Sequence, residues 1–521
     1  MVVPVRSPEV AGGPAGRPDA PSRRFDPALV PVALVTLAVY VLHGHHGSLS
    51  RDLSIYAYAG QRVFDGSPPY VDVLNRAGPL AHMVPALGVA VARVAGVGDV
   101  VGMRMVYLLA AVAAVVAIYV LCRDLLRSRA AGIAGAAAML SFHGFAAYAS
   151  DGPREKTVMV LFLVLCFVAV QRRSWFWAGV WLSLATLTLQ ISFPLGAGAA
   201  VVAILCAPGR RWRSLARVVV GGLVPLGLFV VYFAAVGALG DFARAFLLIN
   251  ARYTVASPVW GRAGWVWRDL HMAYGVSLYV LLGGLAVLIA GGLVGVVGLL
   301  RRRQGGAATL VPLAAATVIG VAWTLHDING WPDAFPLLPL GAVGFAVFVA
   351  LVVRHLDGRA AIAVVAAVAV AATLDACVYA VTARTDTLDM QRAVARATAR
   401  HLPRDATYFT MGAPQPLVLL GKRAVSKYVL LSAGLESYVD HTYPGGLAGL
   451  DRWVARRHPT VITVSRHGAP GWLVPTLSRD YRRVGSSPWQ TWASRSLGHH
   501  KLRKMRHAIH RARRSPPGAG G

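Results

Sequence analysis

Uninterrupted apolar runs divide this chain, and several are long enough to cross a bilayer. Stretches such as 30–42, 105–121, 158–170, 218–236, 279–300 and 360–381 approach or exceed the ~20 residues with which a helix spans about 30 Å of hydrocarbon. With 56% hydrophobic and only 14% charged residues over 521 positions, a soluble globular protein is excluded. The expected fold class is a polytopic α-helical membrane protein.

A net charge of +29 in a soluble chain would point to nucleic acid. Here the basic residues come in short bursts between apolar runs, which fits loops obeying the positive-inside bias and not a continuous basic groove. No nucleic-acid partner is expected. The segment 1–27 lacks the short apolar core and small-residue cleavage site of a removable signal peptide, so it is expected to be a cytoplasmic, disordered N-terminus with the first run kept as an anchor. Cys122, Cys166, Cys206 and Cys377 lie in or beside apolar runs with no CxxC spacing, and imply neither a disulfide scaffold nor a metal knuckle.

About eleven spans are expected within 28–382, at 28–43, 105–121, 130–148, 157–170, 175–190, 193–207, 215–236, 273–300, 307–325, 335–353 and 360–381. If the N-terminus is cytoplasmic, Arg123/Arg127/Arg129, Arg172/Arg173, Arg210/Arg211/Arg213/Arg217, Arg301/Arg302/Arg303 and Arg354/His355/Arg359 all fall inside. The apolar stretch 80–97 carries His82 and Arg93, and counting it as a span would turn all five clusters outward. It is therefore expected to be a re-entrant or interfacial helix. The outer face then receives the loops 43–103, 148–156, 237–272 and 326–333, together with everything after the last span.

Residues 383–497 are expected to form a small extracytoplasmic α/β domain. Helical spacing runs over 387–402, short buried strands are expected at 406–411 and 460–465, and helices at 447–458 and 472–481. The remainder, 498–521, is strongly basic and ends in Pro and Gly, which predicts a disordered tail.

The first outer loop places Arg51 and Asp52 just beyond the first span, then a Tyr-rich helix reaching Asp65-Gly66, a Pro68-Pro69-Tyr70 break, Asp72, and Gly78-Pro79-Leu80 entering an apolar helix. That arrangement resembles the membrane glycosyltransferases of the GT-C fold, a superfamily including protein O-mannosyltransferases, lipid A aminoarabinose transferases and actinobacterial arabinosyl- and mannosyltransferases. Arg104 at the opening of the next span, Asp151-Gly-Pro-Arg154-Glu-Lys156 in the second outer loop, and Asn329-Gly-Trp-Pro-Asp-Ala-Phe-Pro-Leu-Leu-Pro339 extend the likeness over about 28–350.

The resemblance implies a bacterial plasma (inner) membrane enzyme that transfers a sugar, with inversion, from a polyprenyl-phosphate donor to a hydroxyl of a cell-envelope acceptor. By analogy the donor is decaprenyl-phosphate arabinose or mannose. Asp52 becomes the expected general base, because a sugar hydroxyl is a poor nucleophile until a base within hydrogen-bond reach takes its proton; the bland alternative is an N-cap of the helix that follows. Asp151 is expected as a second catalytic acid, or as a turn that ends a helix. Developing charge on the phosphate calls for cations, for which Arg76, Arg154, Lys156 and His326 are the candidates, with snorkelling to lipid head groups as the competing role. Arg51, Tyr56, Tyr70, Asp72 and Asp327 are expected to position acceptor or sugar. A divalent metal, Mg or Mn, is possible in such enzymes, but Asp52 lies between Arg51 and Leu53 without a second acid, and a hard cation wants several oxygens. Trp260, Trp265 and Trp267 in the long loop read as an interfacial belt, or as sugar-stacking platforms. Two other function classes compete: a transporter or flippase of lipid-linked sugar, although no internal duplication is visible, and a non-catalytic scaffold for envelope assembly.

Overall fold

The computed structural model describes residues 26–207, 209–301, 306–432 and 434–514. The expected disordered N-terminus lies outside these residues except for its last two, and so do Arg302, Arg303 and the final Pro/Gly stretch. Asp26 is fixed in place, since its carboxylate accepts from the Tyr119 hydroxyl at 2.8 Å and pairs with Arg123 at 2.9 Å.

Helices α1 (Leu29–His43), α2 (Arg51–Phe64), α3 (Leu80–Ala95), α4 (Asp99–Leu126), α5 (Arg129–Ser141), α6 (His143–Asp151) and α7 (Glu155–Gln171) open the fold. Among the described residues, six helices are long and apolar enough to cross a membrane by themselves: α4, Arg211–Ala235, Ser277–Leu300, Ala308–His326, Trp331–Val353 and Gly358–Thr382. The stretch expected as one span at 130–148 is broken instead, with α5 and α6 meeting at 71° around an extended Phe142. Helices also occupy the other expected span positions, at α1, α7, Trp175–Thr188 and Ser192–Cys206, but each runs only 14 to 17 residues.

Small residues let the long helices approach closely. A methyl group on Gly344 would lie 1.8 Å from the Gly284 carbonyl oxygen, so Ser277–Leu300 and Leu338–Val353 cross with their backbones nearly touching. At one end of the bundle Arg123 and Arg129 share Asp26, while Arg172 reaches Asp124 at 2.6 Å, joining two of the basic clusters. The loops 43–50, 75–77, 152–156, 189–191 and 326–333 gather away from that cluster.

Helix α2 begins at Arg51, two residues before the Leu53 start that an Asp52 N-cap would give. Ser50 is the N-cap, its hydroxyl accepting from Leu53 N at 3.3 Å, which leaves the Asp52 carboxylate in the first turn and free of capping duty. All residues from Leu53 to Arg62 are buried, because α3 covers one side of the helix and the C-terminal domain the other.

That domain is a four-stranded sheet, β1 (Tyr408–Met411), β2 (Val461–Val464), β3 (Tyr481–Gly485) and β4 (Gln490–Ser494), in the order β1-β2-β4-β3. Strands β1 and β2 are parallel, and β4 pairs antiparallel with both β2 and β3. The domain is tied to the first outer loop by backbone and side-chain bonds. Gln391 both donates to Leu49 O and accepts from Leu49 N, Leu388 N reaches His46 O, and Leu74 N reaches Lys427 O.

The basic tail corrects the expectation of disorder. His499–Arg514 is a helix, and Leu502, Met505 and Ile509 on one face are buried against Val394, Val484 and Trp489. Composition predicts disorder when apolar residues are few, but three of them spaced by three and four positions make a continuous stripe that a sheet and a helix can cover. The α/β domain therefore extends past 497 to include this helix.

Candidate functional site

One cavity of about 550 Å³ opens where the gathered loops meet the C-terminal domain. Arg51, Asp52 and Tyr56 enter it from α2; Asn75, Arg76 and Ala77 from the following loop; Arg154, Glu155 and Lys156 from the start of α7. Gln190, Asn250 and Asp333 come from three further segments, and Leu430, Ser432 and Leu435 of the C-terminal domain complete the wall. Every stretch that charge parity assigns to one face thus contributes to a single cavity.

The charges are matched inside it. Arg154 Nη1 donates to Asp52 Oδ2 at 2.9 Å, and Arg51 Nε donates to the other oxygen at 3.0 Å. Lys156 pairs with Asp333, whose second oxygen accepts from Asn329 N at 2.6 Å. Burial by itself would push the Asp52 carboxyl up, but Arg154 and Arg51 outweigh it and hold the group down at about 2. Arg154 is buried, which disfavours its charge, yet Glu155 and Asp52 more than offset this and raise its affinity for the proton. Its guanidinium also lies 5.5 Å from the centre of the Tyr148 ring.

Two buried atoms here have no hydrogen-bond partner among the described residues: Arg154 Nε and Glu155 Oε2, which face each other at 3.5 Å. A buried donor and acceptor without hydrogen bonds are costly, and the mutual attraction of this ion pair offsets part of that cost.

The loop bearing Arg76 is held rigidly. Gln190 Nε2 and Asn250 Nδ2 both donate to Arg76 O, at 3.0 and 2.8 Å, while its guanidinium donates to Thr254 Oγ1 at 3.0 Å. Tyr70, which has a positive φ of 74°, anchors the same loop from beneath by donating its hydroxyl to Ala77 O at 2.8 Å. Arg104 ties two other loops together. It is fully buried and donates to Gly152 O at 3.2 Å, to Gly47 O at 2.9 Å and to His45 O.

Of the residues expected to form a site, the structure brings Arg51, Asp52, Tyr56, Arg76, Arg154, Lys156 and Asp327 to the cavity wall, and leaves Tyr70, Asp72, Asp151 and His326 outside it. Asp151 faces the other way because its carboxylate accepts from Gly47 N at 3.2 Å and lies 3.7 Å from Arg104 and 3.6 Å from His43. Asp72 accepts from Ser67 Oγ at 2.6 Å, His326 is exposed at the end of its helix, and Tyr70 supports the Arg76 loop from below. Asp327 touches the cavity but also holds Ser257 N at 3.0 Å and Asn329 Nδ2 at 2.8 Å, a loop-bracing role.

Sequence reasoning passed over Glu155 and Asp333, although both lie inside the quoted motifs, Glu155 between Arg154 and Lys156. Asn75, Gln190, Asn250 and Ser432 had no sequence signal, since nothing local shows which polar loop residue a distant segment will meet. The Trp-bearing loop adds none of its tryptophans to the wall; Trp260, Trp265 and Trp267 are exposed.

Among the described residues, no three His, Cys, Asp or Glu side chains come together as a metal-ligand set. Asp52 and Asp333 each already face a cation, so the donors present do not fit a hard divalent ion.

No protein-family model matches the chain, and no curated protein matches it in sequence. Its three-dimensional similarity is extensive. The apo crystal structure of ArnT from Cupriavidus metallidurans superposes with a TM-score of 0.61 at 15% identity, over 90% of this chain and 98% of that one. The same enzyme bound to undecaprenyl phosphate gives 0.59 at 15% identity over the same shares. The Archaeoglobus fulgidus oligosaccharyltransferase in its apo form gives 0.50 at 14% identity, over 84% of this chain and 70% of that one. All three have the GT-C fold, and so does this chain.

Proposed function

We propose that the chain is a membrane glycosyltransferase that moves a sugar from a polyprenyl-phosphate donor to a hydroxyl of a cell-envelope acceptor on the extracytoplasmic face, with inversion. The observation that carries the reading is the convergence of Asp52 with Arg51, Arg76, Arg154 and Lys156 in one cavity, built from loops that share one side of the bundle. The binding of undecaprenyl phosphate by the similarly folded ArnT supports a lipid phosphate as the anion that these cations await.

Transfer needs a base for the acceptor and a counter-charge for the leaving group. In the proposed step the Asp52 carboxylate takes the acceptor hydroxyl proton, and the freed oxygen bonds the anomeric carbon. The bond from that carbon to the phosphate oxygen breaks on the opposite face, leaving polyprenyl phosphate among Arg154, Lys156 and Arg76. A carboxyl held at about 2 is ionised but weakly basic. An arriving phosphate competes for Arg154, loosens its grip on Asp52 and makes the carboxylate a better base when donor is in place.

The test is transfer from a radiolabelled polyprenyl-phosphate sugar in membranes. Asp52→Asn, matched for protein level, is expected to abolish it; full activity in that variant removes the base assignment. Export of labelled lipid-linked sugar by the same variant would instead favour transport.

A further inference from the structure

A second concavity, of about 420 Å³, lies on the C-terminal domain between β3 and the helix His499–Arg514. Arg482 and Arg483 line it from the strand, and Arg503, Arg506, His507 and His510 from the helix. The ladder's register shifts between Arg483 and Gly485, and both arginines of β3 are exposed in succession where strict alternation would bury one of them. Helical spacing does the rest, because Arg503, Arg506 and His510 follow each other by three and four positions.

This groove differs from the first cavity in one decisive respect. There each buried cation faces a carboxylate, whereas here, among the described residues, none of the four arginines forms an ion pair and no acidic residue lines the wall. Like charges gathered in a concavity repel one another, and the arrangement is stabilised when an anion enters.

We propose that the groove is a binding site for an acidic glycan, one carrying carboxylate or phosphate groups on its sugars. Two observations favour such a glycan over the bilayer surface. A helix that lies on lipid needs a free apolar face, but Leu502, Met505 and Ile509 are already buried within the domain. The site is also a concavity with room for a sugar-sized group, bounded on two sides by arginine forks that match planar oxyanions. The assignment is independent of the transfer reaction.

The experiment measures binding of a fluorescently labelled oligogalacturonate to the full-length protein in detergent, with neutral dextran as control and phosphatidylglycerol vesicles as a separate arm. Oligogalacturonate should bind, dextran should not, and Arg503→Gln/Arg506→Gln should weaken binding by about tenfold or more and flatten its salt dependence. Asp52→Asn should bind like the parent, which separates this site from the transfer site. These two helix positions are exposed, so the melting temperature should hold; if it falls, Arg482→Gln replaces the pair. Undiminished oligogalacturonate binding in the variants overturns the proposal, and so does binding to the vesicles alone.

Discussion

Arg154 is asked to do two things, and replacing it with glutamine separates them. As a phosphate ligand it would supply a charge-assisted hydrogen bond worth about 1.5–3 kcal/mol, so Arg154→Gln should cost about 10- to 150-fold in kcat/KM for the donor. As the partner of Asp52 it holds that carboxyl down from 3.8 to about 2. At about 1.4 kcal/mol per unit the whole shift would be near 2.5 kcal/mol, but the Asp52 side chain is 35% exposed and screening leaves about 1 kcal/mol. The sign is that of a depressed carboxylate: the pairing energy is complete above the ordinary value of 3.8 and disappears as pH falls through about 2. With Arg154 gone, burial still raises the group and only the half-exposed Arg51 opposes it. The acid limb of the kcat/KM profile should then move up by about one unit or more, whereas Arg154→Lys should hold it near the parental position. Profiles from pH 2 to 8 on purified protein decide the matter, because the parental limb lies near pH 2 and the variant's is expected at about 3 or above. A variant whose acid limb coincides with the parent's would refute the link between Arg154 and the basicity of Asp52, whatever happened to the donor affinity.

Other consequences can be checked on the folded protein. Gly344→Ala puts a methyl 1.8 Å from a backbone oxygen of the facing helix and should destabilise by about 1–3 kcal/mol, while Gly283→Ala, whose methyl meets nothing within 4 Å, should be neutral; melting in detergent separates them. Arg104→Gln strands three carbonyl groups and Asp151 that now share one guanidinium, so a loss of about 3–5 kcal/mol is expected, with transfer falling alongside the melting temperature. Met505→Asp buries a charge in the seam between the last helix and the sheet. It should expose 499–514 to limited proteolysis, whereas a tail with no packed face would be cut equally in parent and variant.

How much of this was visible in the sequence depends on the range of the interaction that fixes each part. The apolar runs carry their own signal, because a helix in hydrocarbon satisfies its hydrogen bonds within the segment; helices stand at all the expected span positions, although among the described residues six are long enough to cross alone. The break at Phe142 was hidden, since an apolar run reads the same whether straight or bent by 71°. Strands β1 and β2 are all-buried and apolar and could be read, but β3 and β4, with Arg482, Arg483 and Gln490 among few apolar residues, could not. The tail helix carries its signal in the 502, 505 and 509 spacing, which the surrounding basic residues mask in composition.

The site divides along the same line. Asp52, Arg154 and Lys156 could be named because a charge beside an apolar run is conspicuous, and a conspicuous residue needs a local reason to be there. Asp151 was equally conspicuous and its reason proved structural: it takes up Gly47, Arg104 and His43 and so anchors the loop leading to Asp52. Two aspartates beside an apolar run, each next to an arginine-bearing loop, thus look alike in sequence and differ in which way their carboxylates turn. The Asp151 orientation is fixed in part by Arg104, one fully buried side chain that lies far along the sequence from both loops and is joined to three of their carbonyl groups. Removing it should disturb the cavity without touching any residue that lines it, because Arg104 and its three carbonyl partners lie beneath the wall and not in it.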